Sequence, residues 1–224
     1  MFFGLIPARG GSKGIPRKNL YQFNSRPLIS YTIEAALSSG LLKEVFVSTD
    51  DPEIAKFAEE MGADVIIRPP ELADDSAPTV DVALHALRKT GFNGAVAVLQ
   101  PTSPLRTSKD IDNALELFRD TPEADSLVSV TDFPHPPFWA LKIEDGRLKP
   151  LFNHKYLQMR RQDLERAYIP NGAIFIGERK TLEDRRTFYT ENTIPYYMPP
   201  ERSIDIDTLL DLKIAETIMK ETVK

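Results

Sequence analysis

Apolar runs of strand length alternate with segments of helical period through the first half of the chain, and this alternation constrains the fold more than any other feature. Strands separated by helices run parallel, because each helix returns the chain to the edge of the sheet where the previous strand began. The pattern therefore predicts an α/β domain with a mainly parallel sheet. The predicted strands are Phe2 to Ala8, Glu44 to Thr49, Asp64 to Ile67, Ala95 to Leu99 and Ser126 to Thr131.

Capping residues delimit the helices between these strands. Gly40 is the expected C-terminal cap of the first helix, and Asp51 is the expected N-cap of the second. Thr208 opens the last helix, with Asp211 three residues later as a capping-box variant. Helices are predicted over residues 27–39, 52–62, 80–91 and 109–119, and from Thr208 onward.

The character of the chain changes after Asp125. Prolines at 134, 136 and 137 and an expected hairpin turn at Asp145-Gly146 interrupt the alternation. Strand character returns at Gly172 to Ile176 and at Ile194 to Met198. The chain is therefore predicted to contain a main domain, residues 1–130 and 168–224, and an inserted lobe, residues 131–167.

Charge and cysteine content exclude several classes of function. The net charge of -5 disfavours a protein that lives on duplex nucleic acid, which usually has a basic excess. The absence of cysteine removes disulfides, thiolate metal sites and cysteine nucleophiles, and it fits a reducing cytoplasm. The short apolar run from Met1 to Pro7 has no basic segment before it, and no apolar stretch reaches the roughly 20 residues of a membrane span, so neither secretion nor membrane insertion is expected.

The loop after the first predicted strand carries the clearest chemical signal. It reads IPARGGSKGIPRKN from Ile6 to Asn19, and it lies where ligands bind in open parallel sheets. Its glycines let backbone N–H groups approach an anion, and its cations can meet several phosphate oxygens. The glycines are Gly10, Gly11 and Gly14, and the cations are Arg9, Lys13, Arg17 and Lys18. A triphosphate is the expected ligand, with an ordinary solvated basic loop as the alternative, and the spacing fits neither a P-loop nor a dinucleotide fingerprint.

Two aspartates near the C-terminus form a candidate metal site. In the segment SIDID, Asp205 and Asp207 lie on one face if the chain is extended. Mg²⁺ is typically bound by one or two carboxylates together with substrate phosphates, so a nucleotide would supply the remaining ligands. Capping of the last helix by Asp207 and Thr208 explains the same residues equally well.

Two further polar segments are candidate substrate sites. Gln100 follows the strand that ends at Leu99, and its amide suits the hydroxyl or amide groups of a sugar, with a proline-rich turn as the alternative. Arg160 and Arg161 lie in the inserted lobe and suit a carboxylate or phosphate, with an exposed charged run as the alternative. The three histidines lack metal-ligand spacing and are assigned no role.

Seven motifs, taken in this order, resemble the bacterial CMP-sialic acid synthetases, also called acylneuraminate cytidylyltransferases. After the loop they are VSTDD at 47–51, RPPEL at 68–72, LQPTSPLRT at 99–107, RRQDL at 160–164, PNGAIFI at 170–176 and SIDIDT at 203–208. The resemblance implies a Rossmann-like nucleotidyltransferase fold with an inserted dimerisation lobe, and a homodimer in the cytoplasm. It also implies Mg²⁺-dependent transfer of CMP from CTP to a nonulosonic acid, such as N-acetylneuraminic or legionaminic acid.

The resemblance implies three groups of site residues. The nucleotide-binding group is Arg9, Gly10, Gly11, Ser12, Lys13, Lys18, Asn19, Arg68 and Thr79. The sugar acid is contacted by Gln100 and by Arg161, the latter across the dimer, and Mg²⁺ is held by Asp205 and Asp207. The expected catalytic residues are Arg9, Lys18 and Asp207.

Three positions depart from well-known sialic acid enzymes, and all three are expected on the sugar side. They are Ile169 where arginine is common, Phe138 where lysine can occur, and Phe188-Tyr189 in place of a paired Phe. These departures leave open cytidylyl or guanylyl transfer to a different sugar. A non-catalytic nucleotide-binding module of the same fold is the alternative from another class.

Overall fold

A seven-stranded sheet forms the centre of the computed structural model, which describes residues 1–74 and 76–222. The strands are β1 (Phe2–Pro7), β2 (Gln22–Phe23), β3 (Arg26–Pro27), β4 (Leu42–Thr49), β5 (Asp64–Ile67), β6 (Ala95–Leu99), β7 (Ser126–Asp132), β8 (Leu141–Glu144), β9 (Arg147–Pro150), β10 (Tyr168–Glu178) and β11 (Thr193–Tyr197). The α-helices are α1 (Leu28–Leu37), α2 (Pro52–Glu60), α3 (Thr79–Thr90), α4 (Ser108–Arg119), α5 (Arg179–Arg185) and α6 (Leu209–Thr222).

The sheet is mainly parallel, as the alternation of strands and helices predicts. Its strand order is β11-β7-β10-β6-β1-β4-β5. Parallel pairs join β1 to β4 and β6, β4 to β5, and β7 to β11. The strand β10 runs antiparallel between β6 and β7. The predicted α/β class is confirmed, and the antiparallel strand is a feature that the alternation does not predict.

The sheet is buried on both faces because alternate side chains of each strand enter different hydrophobic clusters. On β1, Phe3 and Leu5 belong to the cluster that includes Leu84 of α3. Phe2 and Ile6 belong to the other cluster, to which α1 and α4 contribute. None of the helices in residues 1–74 and 76–222 has the length and apolar character that crossing a membrane requires.

The capping predictions have mixed outcomes. Gly91 directly follows α3 with a φ angle of 67°, and Gly62 lies two residues after α2 with a φ angle of 91°, as expected of residues that end a helix. Gly40 is not the cap of α1, because the helix ends at Leu37 and Ser38 follows in the right-handed conformation. The Ser38 N–H still donates to Glu34 O at 3.0 Å, so the turn needs no left-handed residue. The short helix α5 carries no clear period and was not predicted.

The inserted lobe lies between the end of β7 at Asp132 and the start of β10 at Tyr168. Its strands β8 and β9 form a separate two-stranded sheet. Asp145 and Gly146 join them with φ angles of 52° and 71°, which confirms the predicted hairpin turn. Apolar side chains of this hairpin are exposed, as the 77% exposure of Ile143 shows. A role of the lobe in dimerisation stays a prediction.

Candidate active site

A cavity of about 260 Å³ lies where the loop after β1 meets the carboxyl end of β6. Ligands bind at this edge in open parallel sheets. The lining includes Arg9, Ser12, Lys13 and Lys18 of the loop, Gln100 from the turn after β6, and Asp207. The structure therefore brings most of the predicted phosphate-binding residues together with one of the predicted metal ligands. Gly11, Gly14 and Asn19 also line this cavity.

Two contacts hold the loop in its conformation. The Gly10 N–H donates to Asp50 Oδ1 at 3.0 Å, and Asn19 Nδ2 donates to Arg9 O at 2.8 Å. A Cβ atom on Gly10 would lie only 2.7 Å from Asp51 Oδ2, so glycine is required for this close approach. The Gly10 N–H is thus committed within the protein, contrary to its predicted use as a phosphate donor. The role of Asp50 was missed, although its place directly after a predicted strand is a signal that could have indicated it.

Lys18 joins the loop to the C-terminal part of the chain. Its Nζ donates to Asp207 Oδ1 at 2.9 Å and to the backbone oxygen of Ile206 at 2.8 Å. An ammonium group has three donors, so one remains for a ligand. The residues Lys18 and Asp207 are far apart in sequence, and only the fold places them in contact.

The last helix is capped by Thr208 and Asp211 rather than by the side chain of Asp207. Asp211 Oδ2 accepts from Thr208 N at 2.7 Å, and Asp211 N donates to Thr208 Oγ1 at 3.3 Å. The predicted capping box is confirmed. The carboxylate of Asp207 is therefore available to the cavity, and capping no longer accounts for it.

Asp205 and Asp207 are both exposed and flank the fully buried Ile206, which is the alternation that an extended segment requires. A Cβ atom on Gly14 would overlap the carbonyl oxygen of Asp207, so this segment also packs directly on the loop. No group of three carboxylate or imidazole side chains that would hold a metal occurs within residues 1–74 and 76–222. A divalent cation at these two aspartates would need further ligands from a nucleotide, and the adjacent phosphate-binding loop provides for that.

The surroundings of the Asp205 carboxyl group raise its pKa. Although part of the residue is exposed to solvent, desolvation by the surrounding protein raises its pKa above the ordinary value of 3.8, and the Asp207 carboxylate raises it further. A hydrogen bond with Thr102 opposes both effects. A bound cation would favour the ionised form of this pair of carboxylates.

An ion pair that sequence analysis missed anchors the chain just before Asp205. Arg202 Nη2 and Nε donate to the two oxygens of Asp110 at 2.9 and 3.1 Å, and Asp110 is buried at the start of α4. Burial opposes ionisation of Asp110, but hydrogen bonds from Arg202 and Thr107 outweigh it and hold the pKa below its ordinary value. Asn171 Nδ2 adds a hydrogen bond to Ser203 Oγ at 2.9 Å.

Two of the predicted cations face other groups of the protein. Arg17 pairs with Asp51 at 3.1 Å and with Glu53 at 2.9 Å, so it is not directed at a phosphate. Arg68 is buried and donates to the backbone oxygen of Ser48 at 2.7 Å. Desolvation lowers the pKa of Arg68 to about 10, which leaves the group charged at neutral pH.

Nucleoside binding by Arg68 and Thr79 stays a prediction. Thr79 begins α3. Neither residue lines the cavity described above.

A larger cavity, of about 1070 Å³, lies between the inserted lobe and the main sheet. Arg161, Ile169, Asn171 and Asp205 are among its lining residues. The two residues predicted to contact the sugar acid therefore line different cavities, since Gln100 belongs to the smaller one. Thr102 lines the smaller cavity, and its backbone oxygen accepts from the N–H of Ile206 at 2.9 Å, directly after Asp205 of the larger cavity, so the two sites are adjacent.

Only one of the three departures named in the sequence analysis lies on the larger cavity. Ile169 lines it, whereas Phe188 is buried in the core against Phe175, with ring centroids 5.6 Å apart. Phe138 packs within the lobe against Phe152 and Tyr156. The expectation that all three positions touch the sugar is wrong for Phe188, because its side chain is buried in the core, and for Phe138 it stays a prediction.

Comparison with known proteins gives matches over most of the chain. A family model described as cytidylyltransferase matches residues 3–207. The N-acylneuraminate cytidylyltransferase of Escherichia coli O18:K1:H7 is 37% identical over 217 residues, which are 97% of this chain and 52% of that protein. The CMP-N,N'-diacetyllegionaminic acid synthase of Legionella pneumophila is 36% identical over 225 residues, 96% of this chain and 95% of that protein. The pseudaminic acid cytidylyltransferase of Campylobacter jejuni serotype O:2 is 34% identical, with coverage of 96% and 95%.

The chain spans about half the length of the N-acylneuraminate cytidylyltransferases that it matches. Among solved structures, that of CMP:2-keto-3-deoxy-manno-octonic acid synthetase complexed with CTP has a TM-score of 0.74 and 20% identity, with 99% of each chain covered. At this identity the likeness shows the fold alone, and it supports the α/β architecture described above.

Proposed function

The chain belongs to the cytidylyltransferase family, and from this premise we propose that it transfers CMP from CTP to a nonulosonic acid and releases pyrophosphate. The observation that carries the proposal is the small cavity, in which the cationic loop and the carboxylate of Asp207 meet. A phosphate chain and a divalent cation both fit this combination of charges. The relatives named above act on sialic, legionaminic and pseudaminic acids, which supports a nonulosonic acid as the acceptor.

The reaction is an in-line displacement at phosphorus. The anomeric hydroxyl of the sugar acid attacks the α-phosphorus of CTP and gives its proton to a base, for which the Asp207 carboxylate is the candidate, while the bond from the α-phosphorus to pyrophosphate breaks. Arg9, Lys13 and Lys18 stabilise the negative charge on the phosphate oxygens, and the backbone N–H groups of Gly11 and Ser12 are further donors. Since no covalent intermediate is required, these residues act by positioning the substrates and by stabilising charge.

Asp205 and Asp207 would hold Mg²⁺ together with phosphate oxygens of CTP. The ion would neutralise phosphate charge and orient the triphosphate. Lys18 holds Asp207 in place, and Asn19 holds the loop through Arg9 O. We assign binding of the nucleoside to Asn19 and Thr79. Arg68 acts as a positioning residue through its hydrogen bonds with Ser48.

We assign binding of the sugar acid to Gln100 and Arg161. We also propose that the protein is a cytoplasmic homodimer. The apolar side chains of the β8–β9 hairpin are exposed in the single chain, and a partner subunit would cover them, which supports a dimer. Arg161 lines the same cavity as Asp205 of its own chain, so a direct test must show whether Arg161 acts in the site of its own chain or in that of the partner subunit. Inactive Arg161→Ala and inactive Asp207→Asn subunits should restore turnover when mixed if Arg161 acts across the dimer. Confirmed subunit exchange without recovered turnover would show that Arg161 acts within its own chain.

Pyrophosphate release, measured with each of the common nucleoside triphosphates and a panel of nonulosonic acids, tests the proposed function. We expect release with CTP and at least one nonulosonic acid in the presence of Mg²⁺. Release with another triphosphate in preference to CTP, or with none of the acids, would contradict the proposal.

A further inference from the structure

One wall of the larger cavity is apolar. The segment after β7 contributes Phe133, Pro134 and Pro137, and β10 contributes Ile169 and Pro170. A ligand whose hydrocarbon groups cover this surface gains about 25 cal/mol of binding free energy per Å² of apolar area removed from water. It disfavours ligand hydroxyl groups, because a hydroxyl that leaves water without finding a hydrogen-bond partner loses free energy.

Several polar side chains of the same lining are already occupied. Asp132 accepts hydrogen bonds from Arg166 Nη2 at 2.9 Å and from the Tyr197 hydroxyl at 2.8 Å. Asn171 Nδ2 donates to Ser203 Oγ at 2.9 Å. A ligand hydroxyl beside Asp132 or Asn171 would therefore compete with existing hydrogen bonds. Arg161 also lines this cavity, and its guanidinium group suits the carboxylate of a sugar acid.

A single buried hydroxyl in the lining lacks a partner. Thr131 is 8% exposed, and its Oγ1 has no hydrogen-bond partner among the residues that the structure describes. Thr131 lies directly opposite Ile169 in the antiparallel pair of β7 and β10, so the two side chains share one face of the sheet. One unpaired polar atom beside an aliphatic side chain is complementary to an acylamino group, which combines an amide with a methyl group.

Building on the proposed function, we propose that this cavity selects a nonulosonic acid with an acylamino group and a terminal methyl group on its exocyclic chain, where N-acetylneuraminic acid carries hydroxyl groups. Thr131 Oγ1 hydrogen-bonds the amide, and Ile169 with its apolar neighbours covers the methyl groups. The substrate class is thus a diacylamino, terminally deoxygenated nonulosonic acid. The larger cavity, of about 1070 Å³, has enough room for such a ligand.

Two acids with the same ring configuration give the direct test. N,N'-Diacetyllegionaminic acid and N-acetylneuraminic acid differ in the exocyclic chain, and kcat/KM for each is measured by pyrophosphate release at saturating CTP. We expect the diacetylated acid to be preferred by at least about tenfold. Equal or opposite preference would overturn this inference and leave the proposed function standing. The absence of turnover with any nonulosonic acid would overturn the proposed function and this inference with it.

Thr131→Val tests the hydrogen bond, because it removes the hydroxyl and keeps the shape. We expect kcat/KM for the diacetylated acid to fall about five- to tenfold, with the KM for CTP unchanged. The melting temperature should stay the same or rise, since the hydroxyl is unpaired in the free protein. Thr217→Val on α6, where the hydroxyl is exposed, is the matched control and should change neither constant. Unchanged kcat/KM in a folded Thr131→Val protein would contradict the role of Thr131.

Ile169→Thr tests the apolar contact by placing a hydroxyl in the wall. The ratio of kcat/KM between the two acids should move about tenfold towards N-acetylneuraminic acid. Ile67→Thr is the matched control, because Ile67 is 64% exposed on β5 and does not line this cavity. An unchanged ratio in a folded Ile169→Thr protein, or an equal shift in the control, would overturn the assignment of Ile169.

Discussion

Replacement of Asp207 by asparagine separates a catalytic role from a structural one. The change keeps the size of the side chain and removes the charge that Lys18 Nζ contacts at 2.9 Å. Because 73% of the Asp207 side chain is exposed, we expect the ion pair to contribute less than about 1 kcal/mol to stability. For a chain of 224 residues this corresponds to a fall in Tm of at most about 4 °C.

The loss of turnover should be far larger than the loss of stability. Removal of one group that stabilises charge in the transition state typically lowers kcat by about 10²–10³-fold, or about 2.7–4 kcal/mol. The assay is pyrophosphate release at saturating CTP and sugar acid and modest Mg²⁺, with Tm measured on the same preparation. Near-normal release by a folded Asp207→Asn protein would refute the metal and catalytic assignments.

Asp211→Asn makes the same chemical change four residues later and is the matched control. Asp211 caps α6 through Thr208, so its loss should cost about 1 kcal/mol of stability. Its kcat should stay within about twofold of the wild-type value, since the asparagine oxygen can still accept from the backbone N–H groups of Asp207 and Thr208 that contact Asp211. If both variants lost turnover equally, the conformation of the helix start rather than the charge of Asp207 would be responsible.

Four further changes test other parts of the site. Arg9→Ala should raise the KM for CTP at least about tenfold in steady-state kinetics and leave the KM for the sugar acid nearly unchanged, because Arg9 lines the cavity proposed to bind the triphosphate; the opposite pattern would contradict this placement. Gly14→Ala should lower both Tm and kcat, since its Cβ would overlap a backbone oxygen, whereas Gly11→Ala, whose Cβ meets nothing within 4 Å, should leave Tm unchanged. Asp110→Asn should lower the free energy of unfolding in urea by about 2 kcal/mol, because it breaks a half-buried ion pair, and a change below about 0.5 kcal/mol would show that the pair does not anchor its segment. In a pH profile of kcat/KM for CTP, which reports groups of the free enzyme, the value should fall at acid pH with an apparent pKa above 3.8, because desolvation raises the pKa of Asp205 and its ionised fraction falls as the pH drops through that pKa; a kcat/KM that is undiminished down to pH 3.8 would contradict its role as a ligand.

Local features of the fold follow from the sequence because they depend on neighbouring residues. The limits of β5 and β6 coincide with the predicted strands, and the Asp145-Gly146 turn and the capping box at Thr208 lie where predicted. Each of these features rests on backbone conformations and short hydrogen bonds within a few residues. The place of the phosphate-binding loop after β1 follows in the same way, since strand-end loops of parallel sheets meet at one edge.

The partners of charged side chains were decided by the tertiary structure. Nothing in the loop sequence distinguishes Lys18, which pairs with Asp207, from Arg17, which turns away to Asp51. Both partners lie on other elements, and which one a cation meets depends on how the chain is wound. The same holds for Phe188, whose motif suggested the sugar side and whose side chain is in the core.

The α/β class, the cationic loop and the pair of aspartates can be predicted from the sequence, because periodicity and residue type are local properties. The antiparallel entry of β10 between β6 and β7 depends instead on contacts between distant parts of the chain. That insertion sets Ile169 opposite Thr131 and forms the wall of the larger cavity. Register between distant strands depends on the packing of the whole sheet, and no local pattern in either strand specifies it.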